Sequence, residues 1–212
     1  MKTDVLLRKL RMENKEFVTS NELRRYCKPL KLDYDIVIRH FVARGYLVRI
    51  LRGIFYVKSL EELELSRPKY NHFELVAKGL ELKGVRNWYF GLHSALKFNN
   101  MTHEHFSVEE VINDSLFRAN PVNIAGHRFK FVKVSPSLLG FGLRKGDNGL
   151  RYSDPEKTVL DFMYIWRYNG VPEEKIISDI SDWAKKTSKE RLRKYAREYP
   201  TTVARIAKRV IE

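Results

Sequence analysis

A chain of 212 residues, 43% of them apolar, can bury one large core or two small ones, so a globular protein is expected. No apolar run is long enough to span a bilayer and no apolar leader core is present, which makes the cytoplasm the expected compartment and leaves no membrane partner. The single cysteine, Cys27, excludes an internal disulfide and a thiolate-rich metal site, and its expected role is packing.

Val5, Leu6, Lys9 and Leu10 recur at helical spacing and predict a first helix over Lys2 to Met12 with one apolar face. Thr19 with Glu22 reads as a capping box opening a short helix that Pro29 stops. Asp33 caps a third helix in which Tyr34, Val37, Ile38 and Phe41 face the core, and Gly45 ends it. A hairpin follows, Tyr46 to Ile50 and Ile54 to Val57, around a turn of Leu51, Arg52 and Gly53. Three helices and then a hairpin is the order of a winged helix-turn-helix, expected over residues 1–66, with a connection over 58–70 and a domain boundary near Arg67.

The second domain, 71–212, reads as a mixed α/β domain ending in helices, so the fold class is α+β. Asn71 to Leu82 is expected to be helical, Val85 to Leu92 a strand or buried turn, and His93 to Phe98 a short helix. Val122, Ile124, Phe129, Phe131 and Val134 alternate as a hairpin around Ala125, Gly126 and His127. Ser153 and Glu156 form a second expected capping box with Pro155 just inside the helix start. That helix runs to about Tyr168, Gly170 and Pro172 end it, and helices at about 173–186, 189–198 and 201–211 complete the chain.

The net charge of +14 is distributed unevenly. Residues 1–70 carry 16 Lys/Arg against 9 Asp/Glu, residues 71–184 carry 14 against 14, and residues 185–212 carry 10 against 3. Two basic ends around a neutral middle point to anion-facing surfaces, with nucleic acid the first candidate. The absence of glutamine and the wealth of Lys, Arg and Glu resemble hyperthermophile composition, which accounts for many charges but not for their imbalance.

In a winged helix the second helix of the helix-turn-helix enters the major groove and the wing reaches along the backbone. Ile36, Arg39 and His40 then face outward from the third helix. Arg39 is the candidate for a base or phosphate contact because its planar fork grips two acceptors at once. Arg44, Arg49 and Arg52 flank it, Arg52 at the wing tip, and Lys28 and Lys31 border the linking turn. Asp33 and Asp35 lie where phosphates approach; Asp33 is spent on the cap and Asp35 could accept from cytosine.

Other signals carry less. His103 and His105 lack the third and fourth ligands that a zinc site needs, so no metal is expected. Asp154 to Lys157 imitates a nuclease motif, but the capping box accounts for it and no second acidic cluster completes it. No phosphate-binding loop or nucleophile elbow is present, the glycines of 139–149 read as a mobile loop, and no cofactor is expected. Lys185, Lys186, Lys189, Arg191, Arg193, Lys194 and Arg197 cluster in the last helices, where a solvated face competes with an RNA or acidic-protein surface.

The segments RGYLVRILRGIFYV at 44–57, YFGLHSAL at 89–96, NIAGHRFKFVKV at 123–134 and YSDPEKTVLDFMY at 152–164 resemble, in that order, those of the AbiEi family, the antitoxins and transcriptional regulators of type IV toxin-antitoxin systems. The resemblance covers about 40–210. It implies a repressor of its own operon that binds inverted-repeat duplex DNA through residues 31–52. It also implies a C-terminal domain that counters a nucleotidyltransferase-like toxin, with or without touching it. Leu160 and Phe162 in these segments read as core. The alternative is a stand-alone winged-helix transcription factor whose second domain senses a ligand or dimerises. An enzyme acting on nucleic acid is a third reading, for which no catalytic constellation is found.

Overall fold

The first helix, α1 (Lys2–Met12), buries Leu6, Leu7 and Leu10. Val5 was expected on that face and is instead 53% exposed, so the buried stripe is turned toward Leu7. The computed structural model describes residues 2–212 and divides into two units, one running through Gly84 and including Asn123–His127, the other made of Val85–Val122 and Arg128–Glu212.

In unit one, α1 is followed by a three-residue strand, β1 (Phe17–Thr19), too short for any period to show in the sequence. Helix α2 (Ser20–Leu30) opens on the expected Thr19/Glu22 capping box. Pro29 does not stop it: the proline sits in the last turn, where its missing N–H forfeits one bond, and the helix ends at Lys31, whose φ of 51° turns the chain. Then come α3 (Tyr34–Ala43), β2 (Leu47–Leu51) and β3 (Ile54–Val57). The strands form an antiparallel sheet in the order β1-β3-β2, with Phe17 opposite Tyr56 and Leu47 opposite Val57. Leu6, Leu10, Leu23, Val37, Phe41, Leu47 and Phe55 share one core, each worth about 1.5–3 kcal/mol of burial.

The segment expected as a plain connection contains α4 (Leu60–Glu64), opened by a Ser59/Glu62 capping box. Helix α5 (His72–Leu82), capped by Asn71, belongs to unit one as well. It approaches β2 so closely that a Cβ at Gly79 would lie 2.6 Å from Ile50 Cγ2. Unit one thus runs on past Arg67 as far as Gly84.

Unit two contains β4 (Trp88–Phe90), α6 (Leu92–Phe98), β5 (Val108–Asn113), β8 (Leu143–Lys145), β9 (Arg151–Ser153) and all but the first residue of β7 (His127–Lys133), whereas its hairpin partner β6 (Val122–Ile124) passes after Val122 into the Asn123–His127 segment of unit one. Their sheet has the order β6-β7-β5-β4-β9-β8. It is mixed: β5/β7 and β4/β9 are parallel, while β4/β5 and β8/β9 are antiparallel. Residues 139–149, expected as a mobile loop, hold β8 and a short 3-10 turn. Helices α7 (Pro155–Tyr168), α8 (Glu173–Ala184), α9 (Lys189–Ala196) and α10 (Thr201–Ile211) close the chain. Tyr89, Ile112, Val134, Leu160, Phe162, Ile176, Ile180 and Ile206 lie in their shared core. The architecture is thus mixed α+β with two sheets, ends in helices, and among the described residues has no helix long and apolar enough to cross a membrane.

Candidate nucleic-acid interface

Helix α2 exits through Lys31, whose N–H reaches the Cys27 and Lys28 carbonyls, and two residues later Asp33 starts α3 by accepting from the Ile36 N–H at 2.9 Å. The connection is short because both ends are capped locally. Cys27 packs in this core, and burial pushes its thiol pKa up. Val37, Ile38 and Phe41 pin α3 down, so Ile36, 59% exposed, and Arg39 point outward as expected. The Arg39 Nε donates to the Asp35 carbonyl at 3.3 Å, which leaves both terminal nitrogens to a ligand. His40 is only half-exposed.

The hairpin is held at its tip from two sides. Gly53, at φ 80°, presents its carbonyl to the Ser20 N–H at 2.8 Å, and the Arg52 carbonyl accepts from Lys83 Nζ at 3.2 Å. The Arg52 side chain is left exposed at the turn. Arg49 is exposed on β2 with its guanidinium 5.4 Å from the Phe55 ring centroid. Lys28, Lys31 and Arg44 are exposed at the ends of α2 and α3.

Sequence reasoning passed over Arg24. Its guanidinium lies 4.0 Å from the Tyr34 ring, and the Tyr34 hydroxyl is 2.7 Å from Ser20 Oγ, so a cation on α2 rests on the first residue of α3. The available signal was the i, i+4 spacing of Arg24 and Lys28, which shares one helix face. Among the described residues none of Arg24, Lys28, Lys31, Arg39, Arg44, Arg49 and Arg52 forms an ion pair.

The basic C-terminal cluster behaves differently. Arg191 pairs with Asp154 at 2.5 Å and Glu156 at 3.5 Å, and Lys185 with Asp182 at 2.7 Å. Lys186 donates to the Met101 carbonyl and Lys189 to the Ile211 carbonyl. Among the described residues Arg193, Lys194 and Arg197 form no ion pair, so only part of this cluster's charge is neutralised inside unit two.

The Asp154–Lys157 stretch is structural, by a route different from the expected one. The cap is Asp154, accepting from the Lys157 N–H at 2.9 Å. Ser153 and Glu156 do not form the capping box: Ser153 Oγ meets Thr158 Oγ1 at 2.7 Å, and Glu156 accepts from the Ser188 N–H at 2.8 Å. Burial raises the Asp154 pKa against the pull of its hydrogen bonds and Arg191. Among the described residues no three His, Cys, Asp or Glu side chains converge as metal ligands, and His103 and His105 are exposed.

No family model and no curated protein matches the chain. Among solved structures it is similar to the crystal structure of the RV2827C protein from Mycobacterium tuberculosis, with a TM-score of 0.55 and 14% identity over 99% of this chain and 76% of that one. At that identity the likeness concerns the fold alone.

Proposed function

We propose that unit one is a winged helix-turn-helix that binds duplex DNA, with α3 as the recognition helix and the β2–β3 hairpin as the wing. One observation carries this reading: among the described residues the cations of α2, α3 and the hairpin are exposed and form no ion pair, whereas Lys185, Arg191, Arg205, Lys208 and Arg209 at the C-terminus each pair with a carboxylate. Unpaired Arg and Lys on a helix and an adjoining hairpin can release counterions from a phosphate backbone, the dominant source of affinity for DNA. Arg39 and Ile36 supply base-edge contacts, and Arg52, Arg49, Arg24, Lys28, Lys31 and Arg44 supply phosphate contacts.

The test is an anisotropy titration of the full chain with promoter duplex at several salt concentrations. Affinity falls steeply with salt. Arg39→Ala costs about 1–3 kcal/mol on the preferred sequence and flattens sequence preference, while Arg52→Ala weakens all duplexes alike. Salt-independent affinity, or a wild-type profile for Arg39→Ala, refutes the assignment.

On the AbiEi resemblance we further propose that the chain represses its own operon and counters a nucleotidyltransferase-like toxin through unit two. Co-expression with such a toxin beside a promoter reporter separates the outputs. Arg39→Ala with Arg52→Ala relieves repression and leaves protection; loss of both together refutes the division.

A further inference from the structure

Two surfaces of opposite charge carry exposed apolar side chains. The first is α4 in unit one. Leu60 and Leu65 are 55% and 59% exposed, with Glu61 and Glu64 exposed between them. Helical spacing puts these four positions on one face. The opposite side is fastened by Glu62, buried and bonded to the Tyr56 hydroxyl at 2.6 Å and to the Lys69 N–H at 2.9 Å. The solvent face of α4 is therefore apolar and acidic.

The second surface is a groove of about 730 Å³ in unit two, between β7 and the last turn of α7. Half-buried Val132 and Ile165 line it, along with Phe117 and Tyr168, which are 66% and 83% exposed. Exposed Lys130 and Lys133 line it too, and no carboxylate does. The nearby Asp114 accepts from the Ser115 hydroxyl and from the Asn87 amide at 2.8 Å, and feels the Lys133 charge without forming an ion pair with it. A single chain gains nothing from leaving two such aromatic side chains in water beside a cationic groove.

We propose that the two surfaces meet between copies of this chain. The α4 face of one copy enters the unit-two groove of another, Leu60 and Leu65 against Phe117 and Tyr168, Glu61 and Glu64 against Lys130 and Lys133. Opposite charge and matched apolar content select the partner, and all of these side chains are exposed in the single chain. Because the surfaces differ, each contact is head-to-tail. A five-residue helix against one groove is small beside the roughly 800 Å² per partner of stable complexes, so the pairing is weak. It does not depend on the DNA-binding reading and is measured without DNA.

Sedimentation velocity of the full chain, from low micromolar to near-millimolar concentration at low salt, reads it out. The mass rises with concentration above that of one chain. Glu61→Lys with Glu64→Lys, and separately Lys130→Glu with Lys133→Glu, each raise the midpoint concentration roughly tenfold or more, about 1.4 kcal/mol. An equimolar mixture of the two variants associates again, since each altered face meets a complementary one. Circular dichroism verifies that the variants fold. A monomer at every concentration overturns the proposal and leaves the groove to an acidic segment of a different protein. Association indifferent to both reversals, or not restored on mixing, overturns it as well.

Discussion

Replacing Lys157 by methionine keeps most of the side-chain length and removes its ammonium. In the folded chain that ammonium is fully buried, donating to Asp161 Oδ1 at 3.2 Å, lying 3.0 Å from the Tyr199 hydroxyl and 4.5 Å from the Phe141 ring centroid. Asp161 also accepts from the Tyr199 hydroxyl at 2.7 Å and the Tyr89 hydroxyl at 2.8 Å. Burial, with the Asp161 charge, holds both phenols well above their ordinary range, so they stay protonated donors. Removing one partner of a buried ion pair costs about 3–5 kcal/mol, and the two surviving phenol bonds place the expected loss near the lower end, about 3 kcal/mol. The Lys157→Met/Asp161→Asn double variant should be more stable than the sum of the single losses by about 1–3 kcal/mol, because it leaves no uncompensated charge. All three tryptophans, Trp88, Trp166 and Trp183, belong to unit two, so urea unfolding followed by tryptophan fluorescence reports this unit. A loss below about 1 kcal/mol for Lys157→Met, or additivity in the double variant, refutes the reasoning.

Gly79→Ala would ordinarily favour a helix by about 1 kcal/mol, but its Cβ would meet buried Ile50 at 2.6 Å, and a net loss of about 1–2 kcal/mol is expected from overpacking. Cys27 is the only thiol and is buried in unit one, so its labelling rate measures that loss; slower labelling than wild type contradicts the packing of α5 on β2. Burial works to raise the Glu62 pKa, but bonds from Tyr56, Lys69 and Ser59 outweigh it and hold the group below 4.5. A depressed carboxylate contributes stability above its unfolded pKa and loses it as the pH falls through the folded one. Glu62→Gln is expected to cost about 1–3 kcal/mol at neutral pH, with the gap to wild type closing below 4.5 in far-UV dichroism melts. A gap independent of pH would contradict this.

Local chemistry that repeats or caps was legible in the amino-acid order. The Thr19/Glu22 and Asp33 caps, the Val37/Ile38/Phe41 face, the Arg52–Gly53 turn and Pro155 at the start of α7 each depend on neighbours within a few residues. The outward placement of Arg39 and Ile36 followed directly from that face. What the order alone left undecided depends on partners distant in the chain. Strand β5 reads as polar at Glu109 and Glu110, yet both are buried, because Ser94 bonds Glu109 at 2.6 Å and His93 meets Glu110 at 2.9 Å. Arg24 became a candidate only when α3 brought Tyr34 beneath it. The Ser153 and Glu156 spacing met the capping-box pattern, but Thr158, Ser188 and Arg191 engage these side chains and Asp154 takes the cap. Likewise α5 joined unit one because glycine at 79 lets it close on Ile50. Capping and helical periodicity are short-range and readable residue by residue; the destination of a buried polar group is set by which distant groups the fold brings within bonding distance.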